Sequence, residues 1–157
     1  MRRAMRTIAL AIILLSSQGF AAEIPVKVVQ ITDGDTVGVI DAEKNYFKVR
    51  LSGIDAPERK QAFSDKSKEA LAAKVFDKNI ILDESGKDRY GRTLGVLLVD
   101  GRNINREMVA EGWAWQFVRY DQSVELRTAE DAAKQKRLGL WADPAPIAPW
   151  DYRKGVR

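Results

Sequence analysis

Short runs of alternating apolar and polar residues, separated by tight turns, open the chain beyond residue 22. Val26 to Ile31 carries Val28, Val29 and Ile31 and predicts a strand. Asp33-Gly34 is a hairpin-turn signal, and Thr36 to Ile40 predicts the returning strand. Asp41 to Asn45 is polar and predicts a second turn. From Tyr46 to Leu51 the alternation is strict: Phe47, Val49 and Leu51 share one face, while Tyr46, Lys48 and Arg50 share the other. Three such strands in succession predict a meander.

The period then changes. Beyond the polar stretch Glu58 to Lys68, Leu71, Ala72, Val75 and Phe76 recur at helical spacing and predict a helix from Ser64, as its N-cap, to about Asp77. Asn79 to Asp83 predicts a strand, Ser85 to Arg92 a charged loop, and Thr93 to Val99 a further strand closed by a turn at Asp100-Gly101. A short helix is predicted near Asn105 to Glu111, stopped by Gly112. A last one is predicted from Ser123 to Leu138, with Leu126, Ala129, Ala133 and Leu140 near one stripe and Gly139 as its stop. Pro144, Pro146 and Pro149 predict an irregular tail over 144–157. Three strands, a helix, two strands and then helices form the pattern of a mainly β, α+β fold: a five-stranded OB-fold barrel with three helices. Other small α+β folds share that order. A single domain over 23–143 is expected, with no linker or repeat.

The N-terminus reads differently. Arg2, Arg3 and Arg6 precede a short apolar run, Ile8 to Leu15, and Gly19-Phe20-Ala21-Ala22 supplies small residues for cleavage after Ala21 or Ala22. Residues 1–22 are therefore expected to be a signal peptide. The alternative is an uncleaved anchor, which the shortness of the apolar run disfavours. A secreted or periplasmic monomer with no stable membrane association follows as the expectation. The 157-residue chain has 26 basic and 22 acidic residues, but the first 22 residues hold three arginines and no acid. Without them 23 basic residues face 22 acidic ones, so net charge says little about nucleic acid and only a local cluster can.

Composition narrows the chemistry further, because the chain has no histidine and no cysteine. The commonest general base, the commonest metal ligand and the thiol nucleophile are excluded, as are disulfides. Carboxylates and arginines remain, and they cluster. Asp33-Gly34-Asp35-Thr36 combines a turn with a second acid, Asp35, at the start of a strand. Asp55-Ala56-Pro57-Glu58 follows a strand end and is stiffened by proline. Two aspartates with a backbone carbonyl suit a hard, oxygen-seeking cation such as Ca²⁺; each motif alone also reads as an acidic turn. Arg50 alone reads as an ion-pairing strand arginine, yet its planar fork also matches phosphate. Lys87, Arg89 and Arg92 with Tyr90 make a basic loop around an aromatic, suited to a phosphate chain and a base or equally to a charged surface. Trp113, Trp115 and Phe117 read mostly as core, and Tyr120 as the rim of a site. Arg127, Lys134, Lys136 and Arg137, interleaved with Glu125, Glu130 and Asp131, read as a solvated helix face.

Asp-Gly-Asp-Thr-Val at 33–37, Val-Arg-Leu at 49–51, Ile-Asp-Ala-Pro-Glu at 54–58, Asp-Arg-Tyr-Gly-Arg at 88–92 and Gly-Leu-Trp at 139–141 together resemble the staphylococcal nuclease family, from about Val26 to Trp141. The resemblance implies an OB-fold barrel and Ca²⁺-dependent hydrolysis of DNA and RNA, with 3′-phosphate products. It implies Asp35 and Asp55 as metal ligands with the Ala56 carbonyl, Glu58, Arg50 and Arg92 as catalytic residues, and Arg89, Tyr90 and Tyr120 as substrate contacts. Whether Glu58 takes a proton from water or only orients it stays open. The chain departs from the family pattern at Ala56 (threonine), Arg89 (lysine) and Val118 (tyrosine), and the segment after Glu58 is shorter than the family's loop. Two other readings remain: a catalytically inactive OB module that binds nucleic acid or protein, and an exported protein that holds Ca²⁺ structurally. The complete set of two aspartates, one glutamate and two arginines favours the enzyme.

Overall fold

The computed structural model describes residues 22–157. The expected signal peptide falls almost wholly outside them. Among the described residues there are eight strands: β1 Ala22–Ile31, β2 Thr36–Ile40, β3 Tyr46–Leu51, β4 Ile54–Asp55, β5 Ile80–Lys87, β6 Thr93–Val99, β7 Arg102–Asn103 and β8 Trp115–Gln116. The helices are α1 Ser64–Val75, α2 Ile104–Ala110, α3 Val124–Gln135 and the single turn α4 Pro149–Tyr152, with a 3₁₀ turn at Gly139–Ala142. None of the described helices is long and apolar enough to cross a membrane.

The predicted meander β1-β2-β3 forms, with Val37 opposite Val49 and Thr36 opposite Arg50. β5 pairs with the far edge of β1, β6 pairs with β5, and a short parallel pairing of β3 with β6 closes a five-stranded barrel. This is the OB-fold architecture expected from the strand order. In β1 the register shifts between Val28 and Gln30, a bulge that leaves exposed Val29 unpaired. That extra residue turns both Val28 and Ile31 into the core although they are three apart. The barrel interior is filled by Val37, Val39, Val49, Leu51, Leu82 and Leu97, and Leu71 and Val75 of α1 and Met108 of α2 extend the same core.

Asn105, buried in α2, locks the end of β3 to β6. Its side-chain oxygen accepts the Leu97 N–H (3.2 Å), and its NH₂ donates to the Ser52 (3.0 Å) and Gly95 (3.1 Å) carbonyls. An amide buried with three partners rigidifies the strand end that leads into β4.

Several local expectations are corrected. Ser64 is the first helical residue, not the cap: Phe63 precedes it in the left-handed conformation (φ 66°) and gives no side-chain capping bond. The last long helix stops at Gln135, because Arg137 turns left-handed (φ 52°) ahead of Gly139. Glu130 is not on a solvated face. It is buried, accepting the Gln116 N–H (2.9 Å) and Lys134 Nζ (2.6 Å), while the Lys134 ammonium lies over the Trp141 ring at 4.6 Å. The tail is not irregular throughout: Pro149 starts α4, a position where a proline's missing N–H costs nothing.

Candidate active site

Asp35 directly precedes β2, and its carbonyl accepts the Leu51 N–H (2.8 Å), which extends the β2–β3 ladder to the rim of the barrel. Gly34 is required there. A Cβ on it would stand 2.8 Å from the Ala56 Cβ and collide with the Ser67 side chain of α1. Asp33 keeps the turn role its motif predicts, accepting the Asp35 N–H at 3.0 Å. Burial pushes its carboxyl up to about 7, and the neighbouring Asp35 charge adds to the effect.

Asp55 reaches the same rim from β4, whose backbone pairs with Trp115 of β8. Gly53, at φ 74°, makes the bend that turns the chain from β3 into β4. Burial pushes the Asp55 carboxyl above its ordinary value, although hydrogen bonding from Arg153 and the charge of Arg50 oppose the shift. Ala56 follows, and its N–H donates to Asp35 Oδ2 (2.6 Å), so the three predicted cation-holding residues are contiguous. The other Asp35 oxygen accepts the Thr36 hydroxyl (3.0 Å).

Arg50 joins the two acids. One nitrogen, Nη2, lies 3.1 Å from Asp35 Oδ2 and 3.0 Å from Asp55 Oδ1. The other, Nη1, donates to the Leu51 (2.7 Å) and Ile54 (2.9 Å) carbonyls. Three of the five guanidinium donors are thereby hydrogen-bonded, and Asp35 is held as an ion pair. Arg50 is thus an ion-pairing strand arginine, as its position alone predicted, set beside the acid cluster.

Glu58 stands at the lip with its side chain 38% exposed. Arg92 directly precedes β6, whose parallel register against β3 (Val49 with Thr93) brings it level with the middle of that strand. Asp88 shapes the loop: one oxygen accepts the Tyr90 (2.9 Å) and Arg92 (3.0 Å) N–H groups, and the other accepts Arg92 Nε–H (2.7 Å). Desolvation pushes the Asp88 carboxyl up, but these bonds outweigh it and hold the group below its ordinary value. Among the described residues, Asp88 alone hydrogen-bonds the Arg92 side chain. Arg89 donates to the Tyr90 hydroxyl (2.7 Å) and lies over its ring at 4.8 Å, with Arg92 at 5.6 Å from the same ring. This exposed unit forms a group of its own, with no ion pair to Asp35 or Asp55 among the described residues. Tyr120 is 71% exposed and stands edge-on to Phe117 at 4.8 Å. Val118 is also exposed.

Two residues of this region escape sequence reasoning. Arg153, just after α4, donates from Nη2 to Asp55 Oδ2 (2.7 Å) and from Nη1 to Asp55 Oδ1 (3.3 Å), and Nη1 also contacts Glu58 Oε1. Gln61, buried, accepts the Glu58 N–H (2.9 Å) and donates to the Ile147 carbonyl (2.7 Å), tying the glutamate's segment to the tail. The usable signal was Trp150, a large aromatic in a proline-rich tail that had to pack on something. It stacks on Phe117 at 5.4 Å, nearly parallel at 5°, and meets Trp115 edge-on at 5.5 Å.

The assembled site holds buried oxygen ligands next to fixed positive charge and an exposed carboxylate. It can hold a hard cation and act on a phosphoryl group, and it offers no histidine base. Comparison with known proteins agrees. The family model described as "Staphylococcal nuclease homologue" matches residues 48–143. Protein ParB of Escherichia coli is 40% identical over 157 residues, covering 93% of this chain and 88% of its own. An uncharacterized endonuclease of Haemophilus influenzae is 45% identical over 128 residues, 82% of this chain and 72% of its own. The micrococcal nuclease of Shigella flexneri is 38% identical over 165 residues, 98% and 94% of the two chains. With this barrel, these clustered acids and arginines and this breadth of similarity, the chain belongs to the staphylococcal nuclease family.

Proposed function

We propose that this nuclease hydrolyses phosphodiester bonds of both DNA and RNA with Ca²⁺ as its cation, and that it acts as a monomer in the periplasm or outside the cell after residues 1–22 direct its export. The observation that carries the cation assignment is the convergence of two buried carboxylates, Asp35 and Asp55, on the single nitrogen Arg50 Nη2. Buried acids so close together call for compensating positive charge. The donor set, two carboxylates and the Ala56 carbonyl, is oxygen only, and it fits Ca²⁺ better than a metal that prefers nitrogen or sulfur. A bound Ca²⁺ supplies positive charge that offsets a phosphate oxygen and favours the attacking water.

The remaining roles follow from position. Glu58, exposed at the lip, accepts a proton from the attacking water or orients it. Arg92, with only Nε–H engaged, has both terminal amino groups to offer the phosphoryl oxygens. Arg50 contributes its charge and its remaining Nε–H. Arg89 and Tyr90 hold a neighbouring phosphate, and Tyr120 presents a face to a base. The products carry 3′-phosphate ends.

Digestion by Glu58→Gln and Arg92→Ala tests these roles. Each is expected to lower kcat by about 10²–10³-fold. Wild-type rates in either variant would overturn the assignment of that residue, and 5′-phosphate ends would overturn the product assignment.

A further inference from the structure

The tail beyond the family match reaches into the acid cluster, and it arrives there on a built path. Trp150 is clamped between Phe117 and Trp115, Pro149 is buried, and the Ile147 carbonyl is held by Gln61. The packing delivers one charged group, the Arg153 guanidinium, as a two-pronged fork onto Asp55, with a third contact to Glu58. Asp55 is 2% exposed at its side chain and Arg153 42%.

With Arg153 in place, every oxygen of the two aspartates is engaged. Asp35 accepts from Thr36 on one oxygen and from Ala56 on the other, which also lies 3.1 Å from Arg50 Nη2; Asp55 accepts from Arg50 on one oxygen and from Arg153 on both. These bonds are not equally replaceable. Arg50 is 12% exposed and pinned by two backbone carbonyls, so withdrawing it would disturb the end of β3. Among the described residues the Arg153 side chain hydrogen-bonds only the two carboxylates, with the Phe117 ring 6.0 Å away, so it can leave without breaking the barrel. Asp55 Oδ2 is thus the oxygen most easily vacated for a cation.

We propose that Arg153 is a resident counter-cation of the Asp55–Glu58 pair that competes with the divalent cation, and so sets the cation affinity of the site. The inference rests on the cation reading of Asp35 and Asp55. It adds that binding exchanges a tethered single charge for a free double one. An exchange of this kind weakens cation binding by the worth of a partly exposed, two-pronged ion pair, about tenfold, or ~1.4 kcal/mol.

Calorimetric titration of the purified protein with Ca²⁺, without nucleic acid, tests this in wild type, Arg153→Gln, Arg153→Lys and Asp35→Asn. Arg153→Gln is expected to bind Ca²⁺ about tenfold tighter. Arg153→Lys, which keeps the charge and loses the fork, is expected to fall between it and wild type. Near-ultraviolet circular dichroism, dominated by the packed tryptophans, confirms that the tail stays docked in each variant. Equal affinities in wild type and Arg153→Gln, or weaker binding in the variant, would overturn the competition while leaving the cation site intact. Calcium binding that is absent throughout, or indifferent to Asp35→Asn, would instead remove the cation reading, and the proposal with it.

Discussion

Arg50 and Arg92 bring the same charge to the site but differ in what else they hold up. Arg50 is the shared counter-ion of two buried carboxylates and ties two backbone carbonyls, so Arg50→Ala leaves Asp35 buried without its ion-pair partner and frees both carbonyls. Losing one partner of a buried ion pair costs about 3–5 kcal/mol. Arg50→Ala is therefore expected to lower the denaturant midpoint markedly, whereas Arg92→Ala, whose side chain is 31% exposed and bonded to Asp88 alone, should shift it little. Equal midpoints in the two variants would contradict this division. Asp88 predicts a pH dependence. Its folded-state carboxyl gives up its proton more readily than the unfolded chain's ordinary 3.8, so its bonds stabilise the fold above that pH and are lost as the pH falls below it. Asp88→Asn should cost about 1 kcal/mol at pH 7, and the difference from wild type should shrink toward pH 3. A difference in unfolding free energy that is the same at both pH values would rule out the ionised bond.

At the scale of elements, what could be read from the chain was what neighbours in sequence determine. β2, β3 and β6 fall on the predicted residues because strict alternation between Asp-Gly turns is a local signal. The candidate site residues Asp35, Arg50 and Asp55 could be placed for a related reason: each lies at or beside a strand end, so the motif that carries it also fixes its position. β4 and β8, two residues each, have no pattern of their own and exist because Gly53 bends the chain toward Phe117, whose N–H donates to the Gly53 carbonyl at 2.9 Å. Glu130 and Arg153 were opaque because their partners, Gln116 and Asp55, are distant in sequence and are reached only through tertiary packing. The docked tail makes its own prediction. Trp150→Ala removes the stack on Phe117, so backbone amides over 150–157 should exchange with solvent faster while those of β5 and β6 keep their protection. Unchanged tail protection would show that Trp150 does not anchor it.

For the whole molecule, the near balance of 23 basic and 22 acidic residues beyond the expected signal peptide means that no global field draws a polyanion to the surface. The concentrated positive charge is local, as where Arg89 and Arg92 surround the exposed Tyr90 on one loop. The barrel rim holds Asp35 and Asp55 buried side by side, and the docked tail brings the Arg153 charge onto Asp55. Dependence of catalysis on a cation at that acid pair is the centre of this account. The most direct measurement is the rate of hydrolysis of DNA and RNA by the purified protein in Ca²⁺, in Mg²⁺ and in excess chelator, with Asp35→Asn alongside. The expected result is hydrolysis of both nucleic acids in Ca²⁺, abolished by chelator and restored by added Ca²⁺, with Asp35→Asn inactive throughout. Activity that survives full chelation, or that Asp35→Asn retains, would contradict it.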